Sequence, residues 1–156
     1  MKVFKLLPAI LLLWLSACAA APVASFSLPP DARPDLPQKW LSGDARYAWP
    51  PRDGFAESPV LVILPPGTLL DRFGGNSGRF LSPKGAGYKA RALPYTCATL
   101  TYTVFQVLRP LPVWAGKAAP WFDEPGGATQ FQTDAPVSLL LNDRTIEPMP
   151  YAPAPC

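Results

Sequence analysis

Three apolar runs and one alternating run set the elements of this chain. Leu6 to Leu15 is apolar, preceded by Lys2 and Lys5 and closed by the small residues Ser16-Ala17-Cys18-Ala19-Ala20. Val60 to Leu64 is a β-branched and leucine run stopped by Pro65-Pro66-Gly67, too short for a helix, and predicts a buried strand. Leu100 to Leu108 alternates, with Thr101, Thr103 and Phe105 on one face and Tyr102, Val104 and Gln106 on the other, which predicts the clearest strand of the chain. Val137 to Leu141 fits either a strand or one helical turn. Thr68 to Phe73 and Leu111 to Gly116 are read as further extended pieces, Phe80-Leu81 as the start of a loop from Ser82 to Lys89, and residues 46–56 as irregular chain wrapped on the core.

Between these runs the chain is broken by 22 prolines and 11 glycines, which interrupt helices and central strands alike. The expected fold class is α+β, predominantly β: a compact small domain of short strands with long Pro/Gly-rich loops. Residues 1–17 are read as a signal peptide, 18–41 as a Pro-rich tether with packing beginning at Trp40, and 42–156 as the folded domain.

The leader has the charged start, short apolar core and small-residue exit of a secretory signal. Leu15-Ser16-Ala17-Cys18 also resembles a bacterial lipobox, in which Cys18 would be lipidated and become the mature N-terminus. Plain cleavage after Ala20 or Ala24 is the alternative. With Ala19 following the cysteine, similarity to bacterial lipoproteins points to the outer membrane. Removing residues 1–17 takes Lys2 and Lys5 from the 14 Lys+Arg, leaving 12 against 11 Asp+Glu and a charge of +1. The basicity is therefore largely a targeting feature, and no nucleic-acid surface is indicated. With Cys18 assigned to lipid, Cys97 and Cys156 are an even pair in an oxidising compartment, open to a disulfide or to two free thiols.

The chain has no histidine, which excludes Ser-His-Asp and Cys-His nucleophile pairs and histidine metal sites. No metal site is expected. Adjacent carboxylates occur at Asp123-Glu124, where side chains of an extended chain diverge, so a two-carboxylate hydrolase mechanism has weak support. Arginine, aromatic, amide and backbone groups remain. They concentrate in Gly67–Leu81, where Asp71-Arg72-Phe73 and Arg79-Phe80 flank the turn Gly74-Gly75-Asn76, either a cradle for an anionic, ring-bearing ligand or a plain hairpin.

Several separated motifs then resemble one family. Leu70-Asp71-Arg72-Phe73-Gly74, Gly78-Arg79-Phe80-Leu81, Arg91-Ala92-Leu93-Pro94, Tyr102-Thr103-Val104-Phe105-Gln106-Val107 and Ala119-Pro120-Trp121-Phe122 with Pro125-Gly126-Gly127-Ala128-Thr129-Gln130-Phe131 are similar, in order and spacing, to the tuberculosis necrotising toxin (TNT) domain, over roughly Tyr47 to Ile146. The resemblance implies a mostly β NAD(P)+ glycohydrolase that cleaves the nicotinamide–ribose bond, with NAD+ or NADP+ as substrate and no cofactor. It implies export, a toxin or effector role and a neutralising immunity protein. Gln130 takes the place of the family's catalytic glutamine and Arg91 that of an active-site arginine. Arg72 and Phe73 match substrate contacts, and Arg79, Phe80, Thr103 and Trp121 complete the expected substrate set. Read on their own, Gln130 could be an exposed strand residue, Arg72 and Arg91 surface partners of Asp71 or Glu124, and Trp121-Phe122 core. The chain departs from the family pattern at Thr103, where some members carry histidine, and at Asp123-Glu124, where many carry Gly-Gln. A lipoprotein of this fold that has lost turnover and binds a nucleotide or an envelope protein is the competing reading.

Overall fold

The alternating and apolar runs become short strands of one antiparallel sheet. The structure, a computed structural model, describes residues 27–156, so the leader and Cys18 lie outside the described residues. The strands are β1 (Val60–Leu64), β2 (Leu69–Phe73), β3 (Phe80–Pro83), β4 (Tyr102–Val107), β5 (Leu111–Lys117), β6 (Thr129–Gln132) and β7 (Ile146–Pro148). They join in the order β1-β5-β6-β3-β2-β4-β7. A single α-helix among the described residues, α1 (Val137–Asn142), and four short 3-10 turns complete the fold. The predominantly β reading holds.

Registry explains which residues are shared between core and site. Leu70 pairs with Phe105, while Asp71 pairs with Val104 and Phe73 with Tyr102. Because side chains alternate across a strand, Leu70 and Phe105 fall on one face and Asp71, Phe73, Tyr102 and Val104 on the other. The first face carries the main core, where Leu70, Leu81, Phe105, Val107 and Val113 meet Val137 and Leu140 of α1. Pro112 is tolerated inside β5 because it pairs with Ile63 of the edge strand β1, beyond the stretch Trp114–Lys117 that bonds to β6.

Several expectations change. Ser82 and Pro83 are strand, not loop: β3 bonds β2 through Asp71↔Ser82 and Leu70↔Pro83, and β6 through Phe80↔Gln132 and Leu81↔Phe131. Val137–Asn142 resolves as a helix, started by Pro136, which lacks an N–H that a first turn would leave unbonded anyway. Packing begins well before Trp40. Ala32 bridges Tyr95, the Arg33 N–H donates to the Pro94 carbonyl (2.9 Å), and Leu36 is buried.

Cys97 and Cys156 form a disulfide across a sequence separation of 59. It ties the C-terminal tail to the 3-10 turn Cys97–Thr99, where the Pro155 carbonyl also accepts the Tyr88 N–H (3.1 Å). Closing a loop of this length restricts the unfolded chain, so Cys156→Ser is expected to lower stability by about 2 to 4 kcal/mol. Denaturant unfolding of the oxidised protein and the variant checks this.

Candidate active site

At the end of the β2–β3 hairpin the sheet opens into a cleft of about 500 Å³. Its walls come from distant segments: Arg72, Phe73, Gly74, Gly75 and Phe80 from the hairpin, Arg91 to Leu93 and Tyr95 from the following loop, Trp121 from the chain between β5 and β6, and Gln130 from β6. Asp31, Trp49, Pro50, Asp53 and Gly54 close it from the N-terminal side. Of the expected site residues, Gln130, Arg91, Arg72, Phe73, Phe80 and Trp121 converge on this cleft. Arg79 and Thr103 are not among its lining residues. Arg79 is exposed, and Thr103 is half-buried opposite Arg72. The hairpin thus separates its two arginines, one inward and one to solvent.

Arg72 is held by the turn it precedes. Its Nε donates to the Gly75 carbonyl (2.8 Å) and Nη1 to the Phe80 carbonyl (2.7 Å). Burial pushes its pKa down from the ordinary arginine value, opposed by the nearby Tyr95 phenol. Gly78 is what admits the guanidinium: a Cβ there would lie 1.9 Å from Arg72 Nη2.

Arg91 is a buried ion-pair partner rather than a free cation. Its Nη2 donates to Asp71 Oδ1 and to the Ala86 carbonyl (2.8 Å), and Nε donates to the same carbonyl (3.1 Å). The pairing with Asp71 considered from sequence is present, but it is buried, with side-chain exposures of 7% and 0%. Asp71 also accepts from the Tyr102 hydroxyl and the Gly85 N–H, both at 2.7 Å. Burial, with the Asp71 hydrogen bond, pushes the Tyr102 phenol up to about 12, so it remains a donor to Asp71 through the physiological range. Phe73 is buried between Tyr88 and Tyr102 with Arg91 Cζ 4.9 Å from its ring centroid. A signal for this hub was present in Asp71, an acid in an apolar strand, which rarely sits buried without partners.

Gln130 leaves its amide at the cleft. Its Nε2 donates to the Asp53 carbonyl (3.0 Å), which turns Oε1 away from that contact as the free acceptor. Trp121 lines the cleft while its Nε1 donates to the Ala48 carbonyl (2.6 Å) and its ring lies 5.0 Å from Trp40. It is therefore both core and wall. Trp49 was not singled out from sequence; its ring, 52% exposed, lies edge-on to Tyr47 and Phe122 at the cleft. Its surroundings, Arg-Tyr-Ala-Trp-Pro-Pro, read as irregular chain and carry no periodicity that marks a site.

The acidic departure at Asp123-Glu124 is neutralised in place. Glu124 pairs with Arg33, and Asp123 Oδ1 accepts from Lys39 Nζ at 2.6 Å. The Arg33 guanidinium also donates to the Phe122 carbonyl. These acids fasten the segment around residues 33–39 over the Trp121 turn instead of facing a substrate.

An antiparallel sheet whose hairpin cleft holds an arginine, aromatic walls and one glutamine amide defines a small β-sheet protein with a mixed cationic, aromatic and amide cleft. Comparison with known proteins then places it. Residues 63–149 match the family model described as Tuberculosis necrotizing toxin, and the chain belongs to this family. A curated relative, the conidial surface nicotinamide adenine dinucleotide glycohydrolase of Aspergillus fumigatus, is 40% identical over 121 residues. That match covers 67% of this chain and 52% of the relative, so the chain spans about half the length of that protein. Among solved structures, tuberculosis necrotizing toxin complexed with its immunity factor shares the fold, at a TM-score of 0.55 and 20% identity over 65% of this chain and 61% of the toxin chain.

Proposed function

We propose that this protein is an exported NAD(P)+ glycohydrolase that hydrolyses the nicotinamide–ribose bond to nicotinamide and ADP-ribose. The observation that carries this reading is the convergence of the Gln130 amide, Arg72 and the aromatic walls on one cleft. The family and the name of the curated relative point the same way.

The chemistry asks little acid–base work of the protein. Nicotinamide in NAD+ is cationic, so when the C1′–N bond breaks its electron pair neutralises the ring and a good leaving group departs. The ribosyl carbon becomes oxocarbenium-like. In this reading Gln130 Oε1 leans on that developing positive charge and orients the attacking water, whose oxygen bonds to C1′ and whose proton passes to solvent. Arg72 binds the pyrophosphate with charge-assisted hydrogen bonds. Trp121 and the exposed Trp49 offer ring surfaces for the bases. Arg91 supports Phe73 and Asp71 from behind, so its contribution is the shape of the floor. Neither Thr103 nor a histidine is required by this scheme.

Cys18 as lipid anchor, an outer-membrane or secreted location, an effector role and a neutralising immunity protein belong to the same proposal. The test is release of free nicotinamide from NAD+ and from NADP+ by the purified protein with its cysteines oxidised. Release supports the glycohydrolase and shows which dinucleotide it prefers; a folded protein that releases none is instead the nucleotide- or protein-binding relative.

Gly78→Ala probes the pyrophosphate contact. The added methyl takes the space of the Arg72 guanidinium, and KM for the dinucleotide is expected to rise about tenfold, the effect of losing one charge-assisted contact. Initial-rate kinetics check it, with kcat the less affected parameter.

A further inference from the structure

The Gln130 amide has two chemically different ends. Only Oε1 can face a developing cation, and an amide free to rotate would present its N–H groups as readily. What sets its orientation is the loop Arg52–Gly54. Gln130 Nε2 donates to the Asp53 carbonyl, and Gln132 Nε2 donates to the Asp53 carboxylate Oδ2 at 3.1 Å. Gln130 and Gln132 are two apart on β6, so the strand period puts both amides on the face that meets this loop.

The loop itself is unusual. Arg52, Asp53 and Gly54 have φ of 52°, 51° and 84°, three successive residues in left-handed territory. Asp and Gly tolerate it; arginine does so at a cost, which means the surroundings hold it. Arg52 Nη2 donates to the Ala56 carbonyl (2.6 Å), the Ala119 N–H to the Gly54 carbonyl (2.8 Å), and Phe55 is buried against Gly116. In this conformation the Asp53 carbonyl points at the Gln130 amide. Gln132 is buried, so its amide needs a partner, and Asp53 supplies one. Asp53 and this loop precede residues 63–149, the part matched to the family.

We propose that Asp53 is a positioning residue for Gln130: clamped by Gln132 through its carboxylate, it uses its carbonyl to fix which end of the catalytic amide faces the cleft. This deepens the glycohydrolase reading and rests on it. Three variants of the full chain test it. Asp53→Ala removes the clamp and is expected to lower kcat at least tenfold with KM within about twofold. Asp53→Asn keeps an acceptor for Gln132 and tolerates the left-handed backbone, and is expected to restore kcat. Should Asp53→Ala fail to fold, Gln132→Met removes the same bond from the sheet side and carries the same expectation.

A second readout does not depend on turnover. The side-chain amide NMR signals of Gln130, assigned by their loss in Gln130→Ala, should shift or broaden in Asp53→Ala and hold their positions in Asp53→Asn. Unmoved signals in Asp53→Ala, an unchanged kcat, or an Asp53→Asn variant as impaired as Asp53→Ala overturns the proposal. A wild-type protein that releases no nicotinamide while the amide signals respond as expected overturns the glycohydrolase reading and leaves the clamp standing.

Discussion

Gln130→Ala is expected to cut nicotinamide release by roughly a hundredfold or more, about 3 kcal/mol of barrier, with the fold intact. The size follows from the division of labour in the cleft. In the proposed hydrolysis the leaving group needs no proton, so the barrier lies in placing positive charge at the ribosyl carbon, where Oε1 would be the one neutral side-chain oxygen that the expected site residues offer. The fold should survive because Gln130 belongs to β6 through its backbone, opposite Gly116, and those ladder bonds do not involve the side chain. Truncation exposes the Asp53 carbonyl at the cleft, where water can reach it. The two measurements are kcat on the preferred dinucleotide and the thermal unfolding midpoint. A variant that keeps its rate removes Gln130 from the chemistry and leaves the exposed strand glutamine that its sequence context alone suggests; one that loses activity and fold together makes it a structural glutamine.

How far the sequence disclosed this arrangement depends on the range over which each residue acts. β4 was legible because its alternation is local and long enough to show a period. β1 was legible as a strand because prolines bound it, but its expected burial is wrong: it is the edge of the sheet, with Val60, Leu61 and Ile63 exposed and Leu64 buried. Val137–Asn142 was ambiguous because four apolar residues and one serine are too few to show a period; the helix is chosen by the core, which takes Val137 and Leu140, three apart. β6 shows no period in sequence, since Thr129–Gln132 carries two glutamines, both engaged with Asp53 across more than seventy residues. The segment 31–41 read as tether because proline dominates its local chemistry. Its attachments are long-range: Arg33 reaches Glu124 at a separation of 91 residues and Lys39 reaches Asp123 at 84. No local pattern encodes such pairs. The motifs shared with the family pointed to Gln130 and Arg72, which the fold brings to one cleft, but not to the Asp53 loop bonded to the Gln130 amide, nor to the buried pairing of Arg91 with Asp71.

Asp71→Ala is expected to destabilise the protein by about 3 to 5 kcal/mol, because it strands a buried guanidinium. Asp71 is fully buried and meets three donors, Arg91 Nη2, the Tyr102 hydroxyl and the Gly85 N–H. Without the carboxylate, Arg91 keeps the neutral Ala86 carbonyl and the Phe73 ring face, which compensate a dry charge poorly. Removing both charges is a different matter: Asp71→Ala with Arg91→Met leaves neither ion unpaired, and its cost should fall well short of the sum of the two single changes. Denaturant unfolding of the singles and the double measures this coupling. A strong coupling makes the pair one structural unit, and Arg91→Met is then expected to lower nicotinamide release through the displaced Phe73 floor. Additive costs would mean that Arg91 is not bound to Asp71 in solution and is free to turn to the substrate's pyrophosphate, the role its place in the Arg-Ala-Leu-Pro motif suggested.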